Sequence, residues 1–213
     1  MIRDFTSSTL ATLLVTLDPP GLAPIFLALT QGMEGQERRQ VALRACLIAF
    51  AILTFFALGG GEILSVLGIS LPAFRIAGGM LLFWISFEMV FQARGERKAH
   101  AAQSALTIDR IRNVAAFPLA MPLLAGPGAI TAAILLAGRA NTDPRLLAIL
   151  IALIGAVLVC CALVFLLAQR FARLLGVTGN IVLTRLLGVI LAALAVQFVI
   201  DGTFAAMATS GVG

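Results

Sequence analysis

Charged residues are scarce in this sequence, and their scarcity excludes an ordinary soluble domain. Asp, Glu, Lys and Arg make up 12% of the 213 residues, whereas soluble domains carry about 25%. Hydrophobic residues account for 61%, and the mean hydropathy is +1.06. They come in runs of roughly 17–25 residues, the length at which a helix crosses a bilayer core. The composition therefore predicts an all-α membrane protein.

Residues that bind metals or carry out catalysis are also few. The chain has one histidine, and its three cysteines lie inside apolar runs without CxxC spacing, so neither disulfides nor a zinc site is expected. The motifs H-E-x-x-H and G-x-S-x-G and the phosphate-loop lysine motif are absent. We expect no enzymatic activity, no metal and no cofactor. The net charge of +5 indicates membrane topology rather than nucleic-acid binding.

Six apolar segments are long enough to span the membrane. We predict them at residues 5–29, 41–64, 71–91, 113–137, 146–168 and 183–207. They form one transmembrane domain over 1–213, in which a polar loop at 93–112 separates a first half, 1–92, from a second half, 113–213.

Positive charge is distributed unevenly between the two sides of this domain. The loops after the first, third and fifth spans, with their flanks, carry eleven basic residues: Arg38, Arg39, Arg44, Arg94, Arg97, Lys98, Arg110, Arg112, Arg170, Arg173 and Arg185. The opposite side carries four: Arg3, Arg75, Arg139 and Arg145. Because basic loops tend to stay in the cytoplasm, we expect the loop at 93–112 to be cytoplasmic and both termini to lie outside.

The two halves contain an internal repeat. Pro20-Gly21 matches Pro127-Gly128, residues 67–70 match 175–178, and residues 75–78 match 185–188, at offsets of 107, 108 and 110. Each half holds three spans, an odd number, so the second half enters the membrane upside down relative to the first. The pattern predicts two inverted three-helix repeats, an architecture typical of secondary transporters.

Proline and glycine interrupt the first span of each repeat near its middle, at residues 16–24 and 118–128. Proline has no backbone N–H and clashes with the preceding turn, so it breaks a helix. Unpaired backbone is tolerated inside a membrane only where protein or water surrounds it. Broken helices at corresponding positions therefore indicate a transport site, although proline kinks also occur in helices that bind no ligand.

The breaks suggest how a ligand would bind. We expect Asp18 to cap the second half of span one, with Pro19 at its first position, and Gly126 and Pro127 to start the second half of span four. Both starts would direct free N–H groups at a carboxylate, while the ends of the first half-helices would direct carbonyls at an ammonium group or a cation. The candidate substrate-binding residues are Thr16, Asp18, Pro19, Pro20, Gly21, Pro24, Leu124, Ala125, Gly126, Pro127, Gly128 and Thr131.

Several of these residues also have plainer interpretations. Asp18, the acidic residue deepest in the membrane, is a candidate for coupling to H⁺ or Na⁺, but it is equally a helix cap. Thr16 and Thr131 are more typically bonded to their own helix backbone. Outside the site, we expect Glu88 and Asp201 to form ion pairs or to snorkel, on the same sides as Arg185 and Arg75, respectively. We expect Gln197 to form a hydrogen bond between helices.

The motifs at residues 18–26, 75–79 and 118–130 resemble those of the MarC family of bacterial inner-membrane proteins, which includes SnatA-like exporters of small neutral amino acids. The resemblance runs through nearly the whole chain. It implies a six-span fold in the bacterial inner membrane, a substrate site in the broken first and fourth spans, and, for some members, transport of glycine and alanine.

Three functions follow as hypotheses. The first is a secondary transporter that exports small neutral amino acids, coupled to H⁺ or Na⁺ because no ATP-binding motif exists, with the repeats rocking about the site. The second is an ion channel or ion transporter that uses Asp18. The third is a membrane assembly or regulatory subunit without a substrate.

Overall fold

The structure, a computed structural model, describes residues 2–91, 115–140 and 143–209. In these ranges it contains eight helices and no strand: α1 (Ile2–Leu17), α2 (Pro19–Leu29), α3 (Gly35–Val66), α4 (Leu71–Val90), α5 (Ala115–Leu124), α6 (Pro127–Ala140), α7 (Pro144–Leu166) and α8 (Ala168–Thr209). The predicted loop at 93–112 lies outside the described residues.

These helices confirm the predicted spans. Helices α1 and α2 form the first span, α5 and α6 form the fourth, and α3, α4, α7 and α8 supply the other four. Among the described residues, five segments are long and apolar enough to cross a membrane, and α6 is a shorter apolar helix. The sixth span differs at its start, because α8 begins at Ala168 and bends at Gly176, where φ is 60°. Its apolar part, Ile181–Ala208, matches the predicted span.

Side-chain caps set the starts of several helices, as the local sequence dictates. Glu34 and Glu37 form a capping box at the start of α3. The Ser70 hydroxyl accepts a hydrogen bond from the Ala73 N–H at 3.3 Å, and the Asp143 carboxylate accepts one from the Arg145 N–H at 2.9 Å. These caps satisfy backbone donors that helix geometry leaves without a partner, so the helices can begin directly after short connections.

The two repeats interlock. The most extensive packing joins α4 to α8, the third span of one repeat to the third span of the other. Helix α3 packs on both halves of span four, and α7 packs on both halves of span one, so the second span of each repeat packs on the first span of the other. Phe26 of α2 stacks on Phe165 of α7, with ring centroids 4.7 Å apart. The contacts within each repeat are slight by comparison.

Glycines bring α4 and α8 together in an antiparallel seam. A Cβ on Gly79 would lie 2.8 Å from the Ala195 carbonyl oxygen, and one on Gly188 would lie 3.2 Å from the Ser86 carbonyl oxygen. At the other end, a Cβ on Gly202 would lie 3.1 Å from the carbonyl oxygen of Pro72. Backbones that approach this closely need small residues, so this seam tolerates no side chain at these positions without displacement of the helices.

The two faces of the bundle agree with the predicted alternation of the loops. Arg139, near the end of α6, contacts Ser8 near the start of α1 and Asp201 near the end of α8. The start of α1 and the end of α8, the two ends of the described chain, therefore lie on the same face, as an even number of spans requires.

The polar contacts outside the site agree with expectation in part. Asp201 forms an ion pair, as expected, and its partner is Arg139, because α6 ends beside α8 on this face. Gln197 bonds to Asp201 one turn along its own helix rather than across a helix interface. Glu88 accepts a hydrogen bond from the Trp84 indole N–H of its own helix at 3.1 Å.

We predict that Gly79→Ala destabilises the protein. The new methyl group must displace the Ala195 carbonyl of the facing helix, and overpacking of this kind costs about 1–3 kcal/mol. Gly61→Ala is the matched control, because a Cβ there meets nothing within 4 Å. The measurement is the midpoint of thermal unfolding in detergent. Equal midpoints for the two variants would contradict the close contact of the α4 and α8 backbones at Gly79.

Candidate functional site

The first helix break lies at Asp18, between α1 and α2. Its backbone is left-handed, with φ 53° and ψ 62°, and among the described residues it is the one non-glycine residue with positive φ. Proline disfavours the α conformation in the residue before it, and Asp is one of the few residues that adopt the left-handed region. The Asp18 side chain is buried, with 2% exposure. The Asp-Pro pair therefore turns the chain inside the protein.

The carboxylate of Asp18 closes the start of α2. Its Oδ1 accepts a hydrogen bond from the Gly21 N–H at 3.2 Å, and the Leu22 N–H donates to the Asp18 carbonyl oxygen at 3.1 Å. Pro19 and Pro20 have no N–H to offer. The sequence predicts free N–H groups at this start, and the structure corrects that prediction, since the first two residues lack donors and the next two are paired.

What remains at this break is a surplus of acceptors. In a continuous helix the Val15 carbonyl would accept from residue 19 and the Leu17 carbonyl from residue 21. Residue 19 is a proline, and the Gly21 N–H bonds to Asp18 instead. Within the described ranges no Lys or Arg pairs with the Asp18 carboxylate. A buried carboxylate beside carbonyls that lack their usual helix partner favours a positive group, because buried charges are normally paired.

The second break, between α5 and α6, has the opposite polarity. Helix α5 is a π-helix, and the Ala125 N–H donates to the Ala120 carbonyl oxygen at 2.8 Å, five residues back. The first bond within α6 runs from the Ile130 N–H to the Gly126 carbonyl oxygen at 3.0 Å. The N–H groups of Gly128 and Ala129 precede that bond, so they have no acceptor within the helix. Both residues are buried, and they lie at the positive end of the α6 dipole.

The repeat explains why the polarities differ. At the offset of 107 residues, Ala125 stands where the first repeat has Asp18, and Gly128 stands where it has Gly21. Alanine has no carboxylate to accept from Gly128, so the donor that the first repeat satisfies internally stays available in the second. Divergence at one position thus makes one break rich in acceptors and the other rich in donors.

The two breaks are neighbours. A Cβ on Gly128 would lie 3.7 Å from the Thr16 Cγ2, two residues before Asp18. It would also clash with Ile85 of α4, and Leu82 of the same helix lies 3.7 Å away. The start of α6 therefore faces the end of α1, with α4 covering it. Sequence reasoning missed Ile85 and Leu82, because nothing in an apolar run singles out the residues that cover a site.

The remaining candidate residues divide by location. Leu124 and Ala125 are fully buried at the end of α5, whereas Pro24 and Pro127 are exposed. The Thr16 hydroxyl donates to the Thr12 carbonyl oxygen of its own helix at 2.6 Å. Thr131 is buried one turn beyond Gly128 and faces Gly78 of α4. The structure thus brings Thr16 and Gly128 together beside the turn at Asp18 and Gly21, and it leaves Pro24 outside that group.

Comparison with known proteins identifies the family. The model of the MarC family, described as "MarC family integral membrane protein", matches residues 4–207. This chain belongs to the MarC family. It is 40% identical over 202 residues to a "UPF0056 membrane protein" of Aquifex aeolicus, covering 90% of this chain and 88% of that one. No solved structure matches this MarC chain.

Two further relatives show how far the likeness extends. A "UPF0056 membrane protein" of Archaeoglobus fulgidus is 39% identical, covering 93% of the MarC chain and 92% of its own length. The "UPF0056 membrane protein YhcE" of Escherichia coli is 34% identical, covering 89% of the MarC chain and 87% of its own length. This MarC protein is therefore an integral membrane protein over nearly its full length, and MarC is not a known enzyme family.

We predict that Asp18→Ala and Asp18→Asn differ in stability in this MarC protein. Alanine loses both the cap on Gly21 and the tolerance for left-handed backbone, at a cost of about 1–2 kcal/mol. Asparagine keeps both and removes only the charge. Thermal unfolding in detergent should show a lower midpoint for the alanine variant alone. A similar loss in both variants would mean that the charge, not the cap, holds the turn.

Proposed function

We propose that this MarC protein is a secondary transporter that exports small neutral amino acids such as glycine and alanine. The observation that carries the proposal is the pair of neighbouring helix breaks with opposite polarity. An amino acid at neutral pH is a zwitterion, and it needs acceptors for its ammonium group and donors for its carboxylate within a few ångströms of each other. A site with this polarity at mid-membrane resembles the half-helix sites of other secondary transporters.

Each end of the substrate would have its own helix. The carboxylate would bind the N–H groups of Gly128 and Ala129 at the start of α6, where the helix dipole also favours negative charge. The ammonium group would bind the Asp18 carboxylate and the carbonyls of Val15 and Leu17. This assignment moves the carboxylate from both half-helix starts to α6 alone, because Asp18 already occupies the start of α2.

The surroundings of Gly128 favour a small substrate. A single added carbon at Gly128 would meet Ile85, with Leu82 and Thr16 just beyond. A ligand bound to the N–H groups of α6 would have to fit between these side chains. Glycine and alanine have no side chain larger than a methyl group, whereas larger amino acids would have to displace α4.

The interlocked repeats bear on how the site would open. Because α4 packs along α8 and the first repeat packs mainly on the second, rocking of one repeat against the other would break the largest interfaces in the molecule. We infer instead that the half-helices beside the breaks tilt while α4 and α8 stay packed. The breaks at Asp18 and Gly126 already interrupt the helical hydrogen bonds, so they are the natural hinges.

The energy source would be an ion gradient or exchange, since the sequence has no ATP-binding motif. Asp18 is the candidate to carry H⁺ or Na⁺, because its carboxylate is buried and accepts one hydrogen bond from Gly21. The same observation supports the second candidate, an ion transporter that uses Asp18. Such a transporter would have no need of the N–H groups at the start of α6, and this difference separates the two.

We expect glycine and alanine to bind the purified protein saturably, measured by calorimetry. Asp18→Asn should weaken binding by at least roughly tenfold, as expected for the loss of a charged hydrogen-bond partner. Asp143→Asn is the matched control, because Asp143 caps α7 away from the site. Gly128→Leu should abolish binding, with Gly61→Leu as its control.

Fragments of the substrate test the two ends separately. Methylamine carries only the cationic group, so it should compete less with glycine for binding after Asp18→Asn. Acetate carries only the anionic group, so its competition with glycine should not change in that variant. Stabilisation by Na⁺ without any response to amino acids would favour the ion transporter. If folded protein binds no small amino acid, the proposed substrate is wrong.

We also propose the bacterial inner membrane as the location, with both termini outside. This orientation follows from the eleven basic residues on one side against four on the other. Alkaline phosphatase fused to the C-terminus should be active, because the enzyme folds only in an oxidising compartment. Fusion in the loop at 93–112 should be inactive. The reverse pattern would invert the topology.

A further inference from the structure

A polar cluster ties three spans together at the face that carries both termini. The Arg139 Nη2 of α6 donates to the Asp201 Oδ2 of α8 at 2.6 Å, and its Nη1 donates to the Ser8 Oγ of α1 at 3.3 Å. The second carboxylate oxygen of Asp201 accepts from the Gln197 Nε2 at 2.7 Å. We call these four residues the terminal-face cluster.

The surroundings of the cluster strengthen the ion pair between Arg139 and Asp201. The Arg139 guanidinium carbon lies 4.5 Å above the centre of the Phe198 ring, which is itself fully buried. The side chains of Arg139 and Asp201 are 23% and 30% exposed, so water screens the pair only in part. Hydrogen bonds between two charged groups are about twice as strong as neutral ones, and the cation–π contact adds to them.

The cluster lies about three helical turns from the candidate site along both α6 and α1. Arg139 lies eleven residues beyond Gly128 along α6, and Ser8 lies ten residues before Asp18 along α1. At 1.5 Å per residue these distances are about 16 Å and about 15 Å. Arg139 thus joins the two helices that form the breaks at about the same distance along each helix, and Asp201 joins α8 to α6.

A buried polar atom lies just below the cluster. The hydroxyl of Thr9, one residue nearer the site than Ser8, is fully buried and has no hydrogen-bond partner. An unpaired buried hydroxyl costs free energy, and the position would gain solvent if α1 and α6 separated. It makes position 9 a reporter of whether α1 separates from the helices that cover it.

We infer that the terminal-face cluster is a latch that closes the path between the candidate site and the face carrying both termini. Helix α6 starts at the site and ends at the latch, and its hydrogen bonds to α5 are interrupted at Gly126. Release of Arg139 from Asp201 therefore lets α6 tilt away from α1 and α8. The latch rests on the proposed transport function for its purpose, but its existence can be tested without any substrate.

The test measures the accessibility of position 9. Thr9→Cys is introduced into protein whose three native cysteines are replaced, and the rate of labelling by a membrane-impermeant maleimide is measured in detergent. A second protein retains only Cys161, which is fully buried on α7 and reports on loss of fold. Arg139→Gln, Asp201→Asn and their combination are made in both proteins.

We expect each single change to raise the labelling rate at position 9 by roughly tenfold, and the double change to raise it no further, because all three variants lose the same Arg139–Asp201 pair. Cys161 should stay unreactive. Unchanged labelling at position 9 would overturn the latch, and so would additive effects of the two changes. Faster labelling of Cys161 as well would show that the cluster holds the fold rather than a path.

The outcome separates the latch from the substrate assignment. No amino acid is present in the labelling experiment, so failure of glycine binding would leave a positive labelling result intact. Conversely, unchanged labelling at position 9 in protein that binds glycine would overturn the proposed latch but leave the proposed transport function standing.

Discussion

Two consecutive prolines in the middle of the first span are the constraint on which the candidate site depends. Pro19 and Pro20 remove two backbone donors at a depth where water is not available to replace them. The chain responds with a left-handed turn at Asp18, whose carboxylate takes the next donor, that of Gly21. The carbonyls of α1 that lose their usual helix partners then form one half of the candidate site.

The other half arises because the second repeat copies the break without copying the carboxylate. Ala125 cannot cap α6, so the donors at Gly128 and Ala129 stay unused by the helix. An internal duplication would by itself produce two breaks of the same polarity, which suits two like charges. One acidic residue present in a single copy converts that symmetric pair into an arrangement that suits a dipolar ligand.

Much of this architecture was predictable from local sequence, and the rest was not. The spans followed from apolar length, and the breaks followed from proline, because both depend on properties of consecutive residues. The cap of α2 by Asp18, with Pro19 at the first position, was predicted and is confirmed. That this cap leaves no free N–H could have been predicted too, since two prolines leave only Gly21 and Leu22 as donors to assign. That Asp201 pairs with Arg139 rather than with Arg75 could not be predicted. It depends on which helix ends lie side by side, and the two partners are 62 residues apart in sequence.

The interlocking of the repeats has a consequence for how the chain is made. The first three spans leave the ribosome before the helices on which they pack exist, and the turn at Asp18 exposes unpaired backbone until α7 and α8 arrive. The first repeat must therefore wait in the bilayer, partly unassembled, for the second to be synthesised. The candidate site itself forms only after α5 and α6 have been made, because the start of α6 supplies one of its two halves.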